Sequence, residues 1–249
     1  MAVFIGVDLG WYGKPTGLAS LRADGGRLRL AAIDRIESRA EILEWIGRQA
    51  GDEDAVAGVD APLVIGNASG IREAERQLNR DFRRYDAGCH AANLGMKFAG
   101  RVMEFSRLLG ELGFAHGADM AAGEGGRFQI EVHPHAAVVS LFDLDRIVKY
   151  KRGRRADRAR ELERLRGLML ERLAGCDPPL DDAELPSIPA VGALKPAEDR
   201  IDAVMCAYVA AYWHRWGRER NTVYGTAEAG YIVVPHRRGG PAVTPPRPS

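Results

Sequence analysis

The first 62 residues constrain the fold more than any other stretch of this 249-residue chain. Ala2–Leu9 is a near-continuous apolar run closed by Gly10, the pattern of a strand buried on both faces. Thr16–Arg22 and Arg27–Ile36 flank Asp24-Gly25-Gly26, a hairpin turn signal, so two more strands are expected, antiparallel to the first. Ser38-Arg39-Ala40-Glu41 reads as a capping box, and Ile42, Leu43 and Ile46 supply the apolar stripe of a helix ending near Gly51. Ala55–Val59 is a further short strand, stopped by Asp60-Ala61-Pro62. A strand that returns after a helix lies parallel to the first through a right-handed crossover. The opening therefore spells β-β-β-α-β in a mixed sheet, and the fold class is α/β.

Beyond Pro62 the pattern is mostly helical. Ile71–Arg84 carries alternating charges, Lys97–Leu112 is amphipathic, and Gly88–Gly95 between them reads as a loop. Arg127–Val132 is expected to form a fifth strand and Arg155–Leu173 a helix; Asp177–Pro196, with five prolines, is a long connection. Pro196 then opens a helix that runs through Trp216, and Tyr231–Val234 is a last short strand. The expected organisation is one domain over residues 1–235 with a mixed five-stranded sheet flanked by helices. Residues 63–126 form a helical insertion between strands four and five, and 236–249 (HRRGGPAVTPPRPS) a disordered tail.

With 46% hydrophobic residues the chain can bury a sizeable core, which excludes wholesale disorder. No apolar run approaches the ~20 residues of a membrane span. The N-terminus lacks a basic region and places Asp8 inside its apolar segment, so it does not read as a signal peptide. Cys89, Cys176 and Cys206 are far apart and include no CxxC pair. Free thiols and a cytoplasmic location are expected, without a disulfide framework or a cysteine zinc site.

Four carboxylates stand in informative places. Asp8 ends the first strand and Asp60 ends the fourth. If those strands are parallel neighbours, both acids reach the sheet edge where open α/β sheets bind ligands. Asp199 and Asp202 are three apart on the last helix and share a side of it, followed by Cys206 and Ala210, small residues suited to packing on a sheet. A buried acid needs a partner, and a divalent cation would serve: Mg2+ takes oxygen ligands, and two such ions can drive phosphodiester cleavage. Taken singly, Asp8 could instead cap the Gly10 turn, Asp60 form an Asx-turn before Pro62, and Asp199 answer the helix dipole.

GVDLGW at 6–11, VDAPL at 59–63, EVHP at 131–134, KYKRG at 149–153 and DRIDAVMCAYVA at 199–210 together resemble the DUF429 family of predicted nucleases. The resemblance runs in order over nearly the whole chain. It implies an RNase H-like fold and a metal-dependent nuclease using Mg2+ or Mn2+. The order of the acids is also similar to that of RuvC-like resolvases, which implies catalytic roles for Asp8, Asp60, Asp199 and Asp202, with Asp8, Asp60 and Asp202 as the principal metal ligands.

Glu131, His133 and His135 alternate and could share a strand face as a two-His, one-carboxylate site favouring zinc or iron. Pro134 is expected to end the strand and turn His135 away, leaving Glu131 as an auxiliary metal ligand or base. Gly123-Glu124-Gly125-Gly126 lacks the Lys-Ser/Thr of a phosphate loop.

The formal charge of +1 is an average over opposed regions. Residues 146–172 carry eleven Lys/Arg against four acids, a local net of +7 that leaves −6 for the remainder. Such a patch beside an acidic metal cluster suits a phosphate backbone. Lys149, Lys151, Arg152 and Arg154 precede the helix and are the expected phosphate contacts, so DNA or RNA is the expected partner; the alternative is a solvated helix face laced with ion pairs. Tyr150 could stack on a base, but aromatic interleaving is otherwise thin, so single-strand binding is not indicated. Two rival functions stay open. Asp8-Leu9-Gly10 matches the strand-borne DxG of the actin, Hsp70 and sugar-kinase phosphotransferases, though neither the length for a duplicated fold nor a second phosphate loop is present. The other rival is a non-catalytic nucleic-acid binder with a residual metal site.

Overall fold

The computed structural model describes residues 2–180 and 184–237. Its elements are β1 (Ala2–Asp8), β2 (Thr16–Asp24), β3 (Arg27–Ile36), α1 (Arg39–Ala50), β4 (Asp54–Val59), α2 (Glu73–Phe82), α3 (Ala99–Glu111), β5 (Ala115–His116), β6 (Arg127–Glu131), α4 (Pro134–Leu141), α5 (Arg155–Leu173), α6 (Lys195–Trp216), β7 (Asn221–Thr226) and β8 (Gly230–Pro235). Six strands form one mixed sheet in the order β3-β2-β1-β4-β6-β5. β1, β2 and β3 are antiparallel, whereas β1, β4 and β6 run parallel and β5 parallel to β6.

The alternation within β1 explains its unbroken apolar sequence. Val3, Ile5 and Val7 face one layer with Trp45 and Ile46 of α1 and Val102 and Phe105 of α3. Phe4 faces the other layer, which contains α6. α6 is buried on nearly its whole circumference from Ala197 to Trp213, as befits a helix wedged in a core. Ile201, Val204, Met205 and Val209 are fully buried there, each worth about 1.5–3 kcal/mol relative to exposure.

The seating of α6 depends on three glycines, among them Gly58 of β4, where a Cβ would stand 2.4 Å from the Cys206 carbonyl oxygen. A Cβ on Gly6 would stand 1.8 Å from the Ala203 carbonyl oxygen, and one on Gly17 2.0 Å from the Asp199 carbonyl oxygen. Only glycine admits so close a backbone approach. Gly17 pairs with Asp8 across the β1–β2 ladder, so its contact with α6 brings the first turns of that helix to the end of β1 where Asp8 lies.

Several expectations need correction. The sheet has six strands because the two-residue β5 adds an edge beside β6; it is too short to leave a periodic signal. The final strand, β8, does not join the main ladder but pairs with β7, a strand unmarked by the sequence reading, as a hairpin packed on α2. Pro134 does not end a strand: β6 stops at Glu131, and Pro134 opens α4 with its missing N–H in the first turn, where no intrahelical partner is needed. Segment 63–126 holds α2, α3 and β5. Of the expected tail, residues 238–249 lie outside the described residues. No helix among the described residues is long and apolar enough to cross a membrane.

Candidate functional site

β1 and β4 are parallel with Val7 opposite Val59, so Asp8 and Asp60 leave the same sheet edge side by side. The Asp60 N–H donates to the Val7 carbonyl at 2.9 Å and extends the ladder past both strands. Asp202, with no exposed surface, approaches from α6. Burial raises the Asp8 pKa well above the carboxylate range, and the nearby Asp202 and Asp60 charges push it further, against the pull of Lys151. Burial lifts Asp60 to about 6, with Asp202 adding and Lys151 opposing. The three acids thus share one electrostatic environment.

Lys151 is their common counter-charge. Its Nζ lies 2.9 Å from Asp202 Oδ2. Burial alone would lower its pKa, but Asp202, Tyr150, Asp8 and Asp60 outweigh that and hold the ammonium charged. Tyr150, 3% exposed, donates its hydroxyl to Asp202 Oδ1 at 2.6 Å, so its ring is not open to a base. Asp202 Oδ2, although beside the ammonium, receives no hydrogen bond of good geometry.

The other two acids are tied elsewhere. Asp199 Oδ2 accepts from Arg35 Nε at 2.7 Å and Oδ1 faces Lys195 Nζ at 2.7 Å. These pairs fix the start of α6 against β3. Glu131 is gripped by both terminal nitrogens of Arg72, at 2.9 and 2.5 Å, and accepts from the Leu63 N–H at 3.1 Å. Arg72 also holds Glu75 and the Val64 carbonyl. Burial lifts Glu131 to about 7 against the lowering effect of Arg72. Its lone pairs are committed to holding the chain after β4 in place.

A cavity of about 720 Å³ opens beside Asp60, and Lys149, Lys151, Arg152, His133, His135 and Trp11 border it. Lys149 pairs with Asp86 at 3.0 Å and is 54% exposed, while Arg152 pairs with no carboxylate among the described residues. Arg154 does not line the cavity; it stands at the N-cap of α5. The helical half of the basic stretch is largely neutralised, by Arg160–Asp157, Arg164–Glu161, Arg166–Glu163 and Arg158–Glu198 pairs. Of Lys149, Lys151 and Arg152 at the cavity wall, Lys149 is held by Asp86 and Lys151 by Asp202, which leaves Arg152 as the cation most open to a ligand there.

The histidines form no metal cage. His133 Nε2 donates to the Ala87 carbonyl at 3.2 Å, and the His135 ring lies 5.5 Å from that of Tyr150. Burial and the Lys151 charge push His133 down to about 4 and His135 well below its usual value, so both are neutral at pH 7. Among the described residues no group of three or more His, Cys, Asp or Glu stands ready to hold a metal ion. That removes the alternating Glu131, His133 and His135 site, because Glu131 ends a strand while His133 and His135 begin a helix. Beside Asp8, Asp60 and Asp202 the Lys151 ammonium supplies the positive charge, in contact with Asp202.

The residues missed by sequence reasoning are partners: Arg72, Arg35, Lys195 and Trp11, whose indole N–H donates to the Asp60 carbonyl at 2.8 Å. Of these only Trp11 lay in a motif singled out in the sequence. No curated protein and no solved structure matches the chain. The family model described as protein of unknown function DUF429 matches residues 6–229. That span includes Asp8, Asp60, Lys151 and Asp202 and covers most of the chain, and the protein belongs to the DUF429 family.

Proposed function

We propose that the protein is a divalent-metal-dependent nuclease with RNase H-like architecture, hydrolysing phosphodiester bonds of DNA or RNA. The observation that carries this reading is the convergence of Asp8, Asp60 and Asp202 at one sheet edge, beside a cavity bordered by Lys149, Lys151 and Arg152. The antiparallel β1-β2-β3 unit followed by parallel β4 and β6 supports the RNase H-like comparison.

The donor set fits Mg2+ or Mn2+ in kind: it is all oxygen, two of its acids are held at raised pKa, and Asp202 Oδ2 accepts no well-formed hydrogen bond although it meets the Lys151 ammonium at 2.9 Å. Asp8, Asp60 and Asp202 would hold the metal. When bound, it would supply an activated water and offset charge on the phosphate. Tyr150 orients Asp202 by its short hydrogen bond. Lys149 and Arg152 hold the substrate phosphates at the cavity wall, and Lys151 balances the acids and offers a third cationic contact. Asp199 and Glu131 act through structure, the first by anchoring α6 and the second by fixing the segment after β4.

The test is incubation of purified protein with Mn2+ and single-stranded, duplex, hybrid and branched oligonucleotides. Cleavage is expected for at least one substrate, and its loss in Asp8→Asn and Asp202→Asn. Cleavage that survives both substitutions would place the active site elsewhere. Binding with steep salt dependence but no cleavage would favour a non-catalytic nucleic-acid binder, and ATP binding a phosphotransferase.

A further inference from the structure

The turn between β1 and β2 carries an aromatic surface that the proposed chemistry does not use. Tyr12 is 66% exposed, the largest aromatic side chain so presented. Phe98, itself buried, backs both members of the turn: its ring centroid is 4.7 Å from that of Trp11 and 5.9 Å, edge-on, from that of Tyr12. The turn is braced by Gly13 N–H to the Gly10 carbonyl at 3.0 Å and by Gly10 N–H to Thr16 Oγ1 at 3.1 Å. Trp11 borders the same cavity as Lys149, Lys151 and Arg152, and its indole N–H is bonded to the carbonyl of Asp60. The shelf is thus fixed one hydrogen bond from a proposed metal ligand.

Cations flank this shelf in sequence and, for Arg101, in space. Lys14 follows Tyr12 in the turn, Lys97 precedes Phe98, and the Arg101 guanidinium lies next to Gly13. None of the three pairs with a carboxylate among the described residues. An aromatic platform at the rim of a cavity with cations nearby is the chemistry that accepts a phosphate backbone with its bases unstacked, because every base offers a π-face. In a closed duplex the bases are already stacked and paired, and a shelf of this kind gains nothing from them.

We propose that the Trp11–Tyr12 shelf stacks an unpaired nucleobase adjacent to the phosphate held at Lys149 and Arg152, which makes single-stranded nucleic acid, or the unpaired part of a branched one, the preferred substrate class. This rests on the proposed nuclease reading for the location of that phosphate, but it concerns binding and can fail or stand by itself. This reverses the expectation from the basic stretch, where aromatic residues are thin, because Trp11 and Tyr12 come from the N-terminal part of the chain.

The experiment is fluorescence anisotropy of the full chain in EDTA, with labelled DNA and RNA oligonucleotides of about a dozen nucleotides, single-stranded and duplex. Single strands are expected to bind more tightly than duplex. Tyr12→Ala and Trp11→Ala should weaken single-strand binding about tenfold each, with duplex binding unchanged and Tyr12→Phe restoring affinity. The salt slope should stay the same in Tyr12→Ala, since phosphate contacts are retained. Exposure of Tyr12 makes its substitution safe for folding, and circular dichroism checks this for Trp11→Ala. Unchanged single-strand affinity in Tyr12→Ala, or equal losses for duplex and single strand, would overturn the inference while leaving the nuclease reading intact. Single-strand binding that follows the predicted pattern without any cleavage in Mn2+ would support the shelf and refute the nuclease. Absence of all nucleic-acid binding would overturn both, and a dimer lost on Tyr12→Ala would give the shelf to a second copy of the chain.

Discussion

Asp60→Asn is expected to stabilise the metal-free protein at neutral pH while disabling the proposed site. The Asp60 carboxyl is held at about 6 by burial and by Asp202, against a usual value of 3.8. At ~1.4 kcal/mol per pH unit that displacement amounts to about 3 kcal/mol. Asp60 keeps part of its surface on the cavity, and solvent screening trims the figure to about 2 kcal/mol. The sign follows from proton binding. Between 3.8 and about 6 the folded chain binds more protons at this group than the unfolded chain, so stability from Asp60 falls as pH rises through that window. Asparagine stays neutral throughout. In EDTA at about pH 7.5 the variant should therefore be more stable by about 2 kcal/mol, or a Tm higher by ~4–8 °C, and at about pH 4 the difference should vanish. Comparing variant with wild type cancels the opposing contributions of His133 and His135, whose lowered pKa values favour stability at higher pH. Urea unfolding at both pH values is the assay. A variant less stable than wild type at neutral pH, or a difference independent of pH, would refute the convergence of charge at this edge. Adding Mn2+ should reverse the order, since saturation at about 100 times Kd stabilises only the competent site by ~2.7 kcal/mol.

Arg72→Met leaves Glu131 and Glu75 buried without their cation and should cost about 3–5 kcal/mol in urea unfolding, with partial recovery in the Arg72→Met, Glu131→Gln double variant. Lys151→Met removes the counter-charge from Asp202, Asp8 and Asp60; thermal melts in EDTA should fall by ~6–12 °C, the equivalent of about 3 kcal/mol, and Mn2+ should restore more of the loss than it adds to wild type. Gly17→Ala drives a Cβ to within 2.0 Å of the Asp199 carbonyl, so circular dichroism and hydrogen exchange should report a loosened α6 and a loss of more than about 2 kcal/mol.

What the sequence makes legible follows from how local the physics is. β1 announces itself because both faces are buried, and α6 because Pro196 starts it and small residues let it lie on glycines of the sheet. The parallel β1–β4 pairing, and with it the meeting of Asp8 and Asp60, follows from the handedness of a single crossover. The partners of the remaining acids are another matter. Arg35 lies 164 residues from Asp199, and Arg72 lies 59 from Glu131, and nothing periodic marks an arginine that will fold back to one carboxylate. The same limit applies to the basic stretch: eleven cations in 27 positions look alike in sequence, yet most of those on α5 pair within one helical turn and Lys151 turns inward. Pro134 is compatible with stopping a strand or starting a helix, and only the end of β6 decides between them.

The central claim, that Asp8, Asp60 and Asp202 jointly hold a catalytic divalent cation, is tested most directly by titrating Mn2+ into the protein and following the free ion by electron paramagnetic resonance. Wild type should remove Mn2+ from solution, up to about two ions per chain, and Asp8→Asn should abolish that uptake while Asp199→Asn retains it. Uptake that persists in Asp8→Asn, or no uptake by wild type, would contradict the account.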